Sequence, residues 1–243
     1  MGNRTTAILL ILLGSAMLPA GCAVPQPPGQ GSRRRLIEPT TQREYWLYVP
    51  RACQAPSADN QRQPRWPLVV TLHGLNPFDT YTAQIREWQQ QADAYGLIVV
   101  APRLGTSALA KRSRVDQDDR AILAVMDHVL NTTNADPARV LITSWSSGGY
   151  MAHYMLNRHP ERFACLAVRQ SNFSADILDE SRNDRYRDKP IAIFFGENDL
   201  PICRAESKQA LRWYLNHGFK VEAFIFDGLS HAPTPETAAN FFA

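Results

Sequence analysis

The stretch of sequence that decides the fold reads Arg139-Val140-Leu141-Ile142-Thr143-Ser144-Trp145-Ser146-Ser147-Gly148-Gly149. A strand-like apolar run leads into small residues, and a helical pattern follows from Tyr150 to Arg158. A sharp strand-to-helix turn needs small residues two positions before and after its central serine, here Ser144 and Gly148. Such a turn exposes the serine hydroxyl beside the free N–H groups of the helix N-terminus. Ser146 is therefore the predicted nucleophile, although a turn rich in serine and glycine also has a purely structural interpretation.

Apolar runs rich in Val, Ile, Leu and Phe alternate with helical patterns along the rest of the chain. The predicted strands are 45–49, 68–72, 97–100, 140–143, 166–168, 191–195 and 221–226. The predicted helices are 81–95, 118–130, 150–158, 205–217 and 233–242. Strands that are apolar on both faces and alternate with helices predict a largely parallel sheet covered by helices on both sides. In such sheets the active site lies at the carboxyl ends of the strands.

An aspartate and a histidine follow two of the later predicted strands. Asp199 comes after strand 191–195, and His231 comes after strand 221–226. The chain order Ser, Asp, His is that of the α/β-hydrolase fold, so Ser146, Asp199 and His231 form a predicted catalytic triad. Alternatives remain open: Asp199 as a turn residue, His231 as a helix cap, and Asp227 as the acid. Other histidines on or near predicted helices are expected at the surface: His153, His159 and His217.

The loop after strand 68–72 supplies the predicted oxyanion hole. It reads His73-Gly74-Leu75-Asn76-Pro77. In this fold the loop offers one backbone N–H to the oxyanion, and the residue after the nucleophile offers another. Leu75 and Ser147 are therefore the candidate donors. His73 is predicted to stiffen the loop through hydrogen bonds.

Six motifs carry a family resemblance: residues 43–50, the His73-Gly74 loop, and residues 96–102, 116–119, 136–140 and 146–152. In this order they resemble the secreted α/β-hydrolases that comprise polyhydroxybutyrate depolymerase-like enzymes, feruloyl esterases and acetyl-xylan esterases. The resemblance covers about residues 43–243 and implies a serine esterase that forms an acyl-enzyme on Ser146. Because segment 173–189 is short, we expect a minimal cap or none, and an open site suited to polymeric esters. A serine peptidase of the same fold and an exported binding protein on a hydrolase scaffold remain alternatives.

Three side chains near the predicted site are candidate substrate contacts. Asn76 and Trp145 adjoin the predicted oxyanion loop and nucleophile, although Trp145 packed into the core is an open alternative. Arg169 follows strand 166–168, where the resembled family usually has small neutral residues. It would select an anionic substrate or pair with a carboxylate. The sequence leaves the acyl group open among acetyl, feruloyl and 3-hydroxybutyrate.

The N-terminal residues have the pattern of a targeting segment. Arg4 precedes an apolar run, residues 7–18, that is too short to span a membrane. The residues up to Cys22 resemble a bacterial lipoprotein signal, which predicts cleavage after residue 21 and lipidation of Cys22. Residues 22–40, rich in Pro, Gly and Arg, are the predicted tether, and residues 41–243 the hydrolase domain. We expect an exported protein, either anchored to a membrane only through this lipid or free in the periplasm or medium.

Charge and cysteine content narrow the partners. The 243-residue chain has 26 basic and 23 acidic residues, a net charge of +3, which gives no reason to expect nucleic-acid binding. The cysteine spacings match no metal-site template, so we expect no metal. We also expect no cofactor, and a monomer that acts on an ester substrate. Cys165 lies in an apolar run and is a predicted buried thiol. Cys53 and Cys203 lie in predicted loops, and a disulfide between them stays open.

Overall fold

The computed structural model describes residues 31–54, 64–105 and 112–243. The predicted signal peptide, residues 1–21, and the predicted lipidation site Cys22 lie outside the described residues, as does the first part of the predicted tether. Among the described residues, no helix has the length and apolar character needed to cross a membrane.

Eight strands and five α-helices make up the described domain. The strands are β1 Ser32–Ile37, β2 Glu44–Val49, β3 Trp66–Leu72, β4 Ile98–Pro102, β5 Ala135–Trp145, β6 Cys165–Arg169, β7 Ile191–Asn198 and β8 Val221–Ser230. The helices are α1 Tyr81–Tyr95, α2 Arg112–Thr132, α3 Gly148–Arg158, α4 Pro201–Asn216 and α5 Pro235–Phe242. Every strand and helix predicted from the sequence is present, with bounds that differ by a few residues.

All eight strands form one sheet in the order β1-β2-β4-β3-β5-β6-β7-β8. The neighbours from β4 through β3 to β8 are parallel, whereas β2 is antiparallel to both β1 and β4. The prediction of a mostly parallel sheet is confirmed. Because the six parallel strands point the same way, their carboxyl ends lie along one edge of the sheet.

The predicted tether, residues 22–40, overlaps the folded domain. Its residues Ser32–Ile37 form β1, which pairs with β2 along its whole length. Arg35 forms an ion pair with Glu44 on β2 (2.7 Å), and the Arg33 guanidinium lies 5.6 Å from the Trp46 ring centre. These cross-strand contacts, rather than an apolar pattern, stabilise β1 on the sheet. Charged side chains are typical of a strand at the edge of a sheet.

Helices cover both faces of the sheet. Successive residues of each strand point to opposite faces, so the strands contribute side chains to both helix layers. Val69 belongs to a buried cluster that includes residues of α1 and α5, and Val70 belongs to another that includes residues of α2, α3 and α4; both are fully buried. The N-terminus of α1 is capped by Thr80, whose hydroxyl accepts a hydrogen bond from the Ala83 N–H (3.1 Å). The segment between β6 and β7 contains only two short 3₁₀ helices, in agreement with the expected minimal cap.

Candidate active site

The turn after β5 holds Ser146 in a constrained position. Ser146 has a φ of 54°, in the left-handed region that non-glycine residues seldom occupy. A Cβ on Gly148 would lie 2.5 Å from the Leu72 carbonyl oxygen, and one on Gly149 would lie 2.3 Å from the Asn172 carbonyl oxygen. Only glycine fits these two positions. The turn can therefore press against the neighbouring strand ends and expose the serine.

The structure brings the three predicted catalytic side chains together at the carboxyl edge of the sheet. The His231 Nε2 atom lies 3.0 Å from the Ser146 hydroxyl oxygen, and its Nδ1 atom lies 2.6 Å from Asp199 Oδ1. An Nδ1–H that donates to the carboxylate leaves Nε2 free to accept the serine proton. The Asp199 side chain is fully buried, whereas that of His231 is 16% exposed. Asp227, the alternative acid, is exposed on β8.

Trp145 forms one wall of this arrangement. Its indole stacks on the His231 imidazole with ring centroids 4.5 Å apart and 26° between the planes. The side chain is 9% exposed, so most of its surface is occupied by protein. Trp145 therefore contacts the imidazole directly. The sequence left open whether it is a pocket wall or a core residue, and neither description includes this contact.

The predicted oxyanion loop is held by hydrogen bonds and lies close to Ser146. His73, which is buried, donates from Nδ1 to the Gly74 carbonyl (2.8 Å) and accepts at Nε2 from the Leu104 N–H (2.9 Å). Burial lowers the pKa of His73, which keeps the ring neutral in these two roles. A Cβ on Gly74 would lie 2.9 Å from the Ser146 Cβ. The hydrogen bonds predicted for His73 are present, and its stiffening of the loop stays a prediction.

The two predicted oxyanion donors, Leu75 and Ser147, directly follow Gly74 and Ser146 in the sequence. Leu75 is 38% exposed, and its backbone N–H has no hydrogen-bond acceptor among the described residues. Ser147 occupies the N-cap position of α3, directly after Ser146. Asn76 is exposed beside a cleft of about 390 Å³ that Arg103 and Leu104 also line. The role of Asn76 as a substrate contact stays a prediction.

Arg169 does not line the site, so the expected contact with an anionic substrate is wrong. Its side chain is fully buried, donates from Nη2 to Gln84 Oε1 (3.0 Å), and lies with its guanidinium carbon 5.6 Å from the Trp88 ring centre. The side chain runs beneath the oxyanion loop towards α1. Substrate therefore has no access to it.

Cys203, which the sequence predicts in a loop, lies in a helix near the site. Both Cys53 and Cys203 are buried free thiols, so no disulfide joins them, whereas Cys165 is a buried thiol in β6 as predicted. Cys203 lies in the first turn of α4, and burial raises the pKa of its thiol to about 12. Among the described residues, one group of possible metal ligands comes together: one ligand atom each from Asp199, Cys203 and His231, all within 4.8 Å of one another.

One histidine expected at the surface is instead buried. His153 on α3 is 1% exposed, with Nδ1 2.8 Å from the Tyr214 hydroxyl, and burial lowers its pKa to about 3. Nearly every residue of α3 is buried, and the His153 ring packs against the rings of Phe173 and Tyr214. His159 and His217 are partly exposed and lie beside the carboxylates of Asp119 and Glu180, respectively.

The sheet order, the serine turn and the chain order Ser, Asp, His define an α/β-hydrolase fold. A solved S-formylglutathione hydrolase from Staphylococcus aureus matches with a TM-score of 0.70 and 15% identity, over 87% of this chain and 94% of that one. A ferulic acid esterase from Anaeromyces mucronatus, solved in complex with ferulic acid, matches with a TM-score of 0.63 and 13% identity, over 88% of each chain. The predicted fold class is confirmed.

Sequence comparisons match part of the chain. Residues 109–191 match the prolyl oligopeptidase family. A bifunctional acetylxylan esterase/xylanase from Neocallimastix patriciarum is 26% identical over 110 residues, which are 45% of this chain and 16% of that protein. The matches to three curated relatives span between 16% and 39% of the length of those proteins. It is thus similar to esterases of the α/β-hydrolase fold, as the resemblance predicted.

Proposed function

We propose that this protein is a serine esterase that hydrolyses carboxylic esters through an acyl-enzyme on Ser146. The observation that carries the proposal is the hydrogen-bonded chain from Asp199 through His231 to Ser146, with distances of 2.6 and 3.0 Å. An uncharged serine hydroxyl is a weak nucleophile, and an adjacent base oriented by a third group is what activates it.

The same chain of atoms supports each proton transfer. His231 takes the hydroxyl proton through Nε2 as Ser146 attacks the ester carbonyl, and then returns it to the leaving alcohol. Asp199 holds Nδ1–H and stabilises the imidazolium while it exists. A water molecule then repeats the sequence on the acyl-enzyme, releasing the acid and restoring the serine.

The tetrahedral intermediate carries a negative oxygen that needs donors. We assign this task to the backbone N–H groups of Leu75 and Ser147. The support is the close packing of Gly74 against Ser146 and the position of Ser147 at the N-terminus of α3, where helix amides favour negative charge. Loss of one such donor costs roughly 10²–10³ in turnover in enzymes of this kind.

We infer that the substrates are esters on polymers or surfaces, of the acetyl-polysaccharide, feruloyl or polyester type. Two of the similar proteins are an acetylxylan esterase and a ferulic acid esterase by name. Exposed apolar side chains stand on the oxyanion loop and beside Asp199: Leu75, Phe78, Leu200 and Ile202. With little chain available for a cap, these residues form an open apolar rim that suits an extended substrate.

The location of the protein is also part of the proposal. A signal peptide over residues 1–21, a lipid on Cys22 and a tether ending before β1 would export the domain and hold it at a membrane surface. The support is the sequence pattern before and at Cys22. Intact mass of the membrane fraction tests it, and a mature chain without acyl mass would remove the anchor.

A serine peptidase is the second candidate, because residues 109–191 match the prolyl oligopeptidase family. The experiment compares short p-nitrophenyl esters with short peptide p-nitroanilides on purified wild type, Ser146→Ala and Ser181→Ala. Ser181 is exposed in a 3₁₀ helix between β6 and β7 and serves as the matched control. We expect ester hydrolysis that only Ser146→Ala reduces to background. Preferential cleavage of the anilides would favour the peptidase, and wild-type rates in Ser146→Ala would overturn the proposed nucleophile.

A further inference from the structure

A buried row of polar side chains lies beneath the proposed oxyanion loop. Arg169 at the end of β6 donates from Nη2 to Gln84 Oε1 on α1 (3.0 Å). Gln84 donates from Nε2 to Asp79 Oδ2 (2.9 Å), and the same oxygen accepts the Gly74 N–H (2.6 Å). The three side-chain-bearing residues are 0%, 0% and 2% exposed. We call Arg169, Gln84 and Asp79 the positioning chain.

The hydrogen bonds of the positioning chain have a fixed direction. The amide oxygen of Gln84 accepts from Arg169 and from the Thr71 hydroxyl (2.7 Å), and its amide nitrogen donates to Asp79. The opposite amide orientation would set an NH₂ group against a guanidinium and an oxygen against a carboxylate. Gln84 therefore has one orientation, and its position is passed on to the Asp79 carboxylate.

Burying such groups is costly, which argues against a role in stability alone. A buried guanidinium and carboxylate lose their hydration, and well-packed apolar residues are often as stable or more so. Burial lowers the pKa of Arg169 to about 10, so the guanidinium remains charged at neutral pH. Glu87 on α1 also faces this charge, and burial raises its pKa to about 7. The positioning chain thus keeps a charged guanidinium in the interior, linked through Gln84 and Asp79 to the Gly74 N–H.

Both halves of the proposed site meet at Arg169. Its carbonyl oxygen accepts the Ser146 N–H (3.3 Å), while its side chain begins the row that ends at Gly74. Asp79 contacts the loop a second time, through its N–H to the Leu75 carbonyl (2.9 Å). The Gly74–Leu75 peptide is thereby held from both ends, with the Gly74 N–H occupied and the Leu75 N–H without a protein acceptor among the described residues.

We propose that Arg169, Gln84 and Asp79 are positioning residues that orient the Gly74–Leu75 peptide so that the Leu75 N–H meets the oxyanion formed at Ser146. This inference rests on the proposed esterase function and deepens it. The positioning chain does not touch the substrate. Through the Leu75 N–H it lowers the energy of the tetrahedral intermediate, whose oxygen is charged, and has much less effect on the energy of the bound ester.

The test uses the full chain and the variant Gln84→Leu, with Gln90→Leu as the control; Gln90 is exposed on the same helix. We expect Gln84→Leu to lower kcat for p-nitrophenyl acetate about 10–100-fold, below the full loss of one oxyanion donor. The KM should stay within about threefold, because an interaction made only in the transition state lowers kcat rather than binding. Gln90→Leu should leave both constants unchanged.

A second readout separates positioning from general damage. A trifluoromethyl ketone adds the Ser146 oxygen to its carbonyl carbon, the serine proton passes to His231, and the carbonyl oxygen becomes an anion in the proposed hole. Its affinity should fall by the same factor as kcat/KM. Far-UV circular dichroism and a thermal transition show whether each variant is folded. Should Gln84→Leu fail to fold, Gln84→Glu is nearly isosteric, keeps an oxygen for Arg169 and loses the N–H donated to Asp79, with the same expected effect.

Each outcome decides the inference. A folded Gln84 variant with wild-type kcat, or one whose loss lies in KM with ketone affinity unchanged, overturns the positioning chain while leaving the esterase intact. A wild-type protein that is inactive on every ester and does not bind the ketone overturns the proposed function and the positioning role together.

Discussion

The indole of Trp145 stacks on the imidazole of His231, with 4.5 Å between ring centroids and 26° between ring planes. Trp145 is the last residue of β5 and immediately precedes Ser146, so the strand that presents the proposed nucleophile also carries a support for the proposed base. The imidazole is held at its edge by Asp199 and on one face by Trp145. Its orientation is therefore fixed before substrate binds.

Removal of this support should loosen the base. We expect Trp145→Ala to reduce kcat on short esters about tenfold with a smaller change in KM, because small misplacements of reacting groups are costly. Trp145→Phe keeps a flat ring beside the imidazole and should retain most of the activity. Steady-state kinetics on both variants check this. Equal losses in the two variants would mean that stacking is not what matters.

The identity of the acid can be tested with a matched pair of aspartates. Asp199→Asn should lower kcat by roughly 10⁴, the cost seen when an amide replaces the triad acid and favours the wrong imidazole tautomer. Asp227→Asn is the control, since Asp227 is exposed on β8 and His231 bonds to Asp199 instead. Ester hydrolysis by each variant is the measurement. A larger loss in Asp227→Asn would reverse the assignment.

The turn itself sets a stability requirement. We expect Gly148→Ala to destabilise the fold by about 3 kcal/mol or more, since the added Cβ would meet the backbone oxygens of Leu72 and His73 at 2.5 and 2.7 Å. Gly228→Ala is the control: its φ of 67° is unfavourable for alanine, but nothing lies within 4 Å of the new atom. Its cost should be about 1–2 kcal/mol. Urea unfolding of both variants gives the comparison, and an equal or smaller loss in Gly148→Ala would contradict the close packing.

The buried His153 predicts a pH dependence of stability. Its folded-state pKa is about 3, below the usual value of 6.5, so the unfolded chain binds a proton that the folded protein does not. Stability contributed by the neutral ring is therefore present above pH 6.5 and is lost as the pH falls from there towards 3. At pH 4.5 the loss from this residue should be about 3 kcal/mol.

His153→Gln provides the comparison, because glutamine does not titrate. We expect the wild type to lose more stability than this variant between pH 7 and pH 4.5, by urea unfolding at both values. Parallel losses in the two proteins would show that His153 is not the group responsible.

The triad residues could be predicted because each follows a strand whose apolar run is plain in the sequence, and parallel strands bring their carboxyl ends together. Arg169 could not, because the direction of its side chain depends on Gln84 and Trp88, which belong to a helix far away in sequence. β1 could not either, since three consecutive arginines show no strand alternation and the strand depends on its partner β2. Cys203 lies just before the predicted helix 205–217, whereas α4 begins at Pro201, since proline is favoured in the first turn of a helix.

Mapping of a fluorophosphonate adduct gives the sharpest test of Ser146 as the nucleophile, because only an activated serine reacts with such a probe. We expect one adduct per chain, found by peptide mass spectrometry on Ser146 and absent from the folded Ser146→Ala and His231→Ala variants. An adduct on Ser144, Ser147 or another serine, or no adduct on folded wild-type protein, would contradict this assignment.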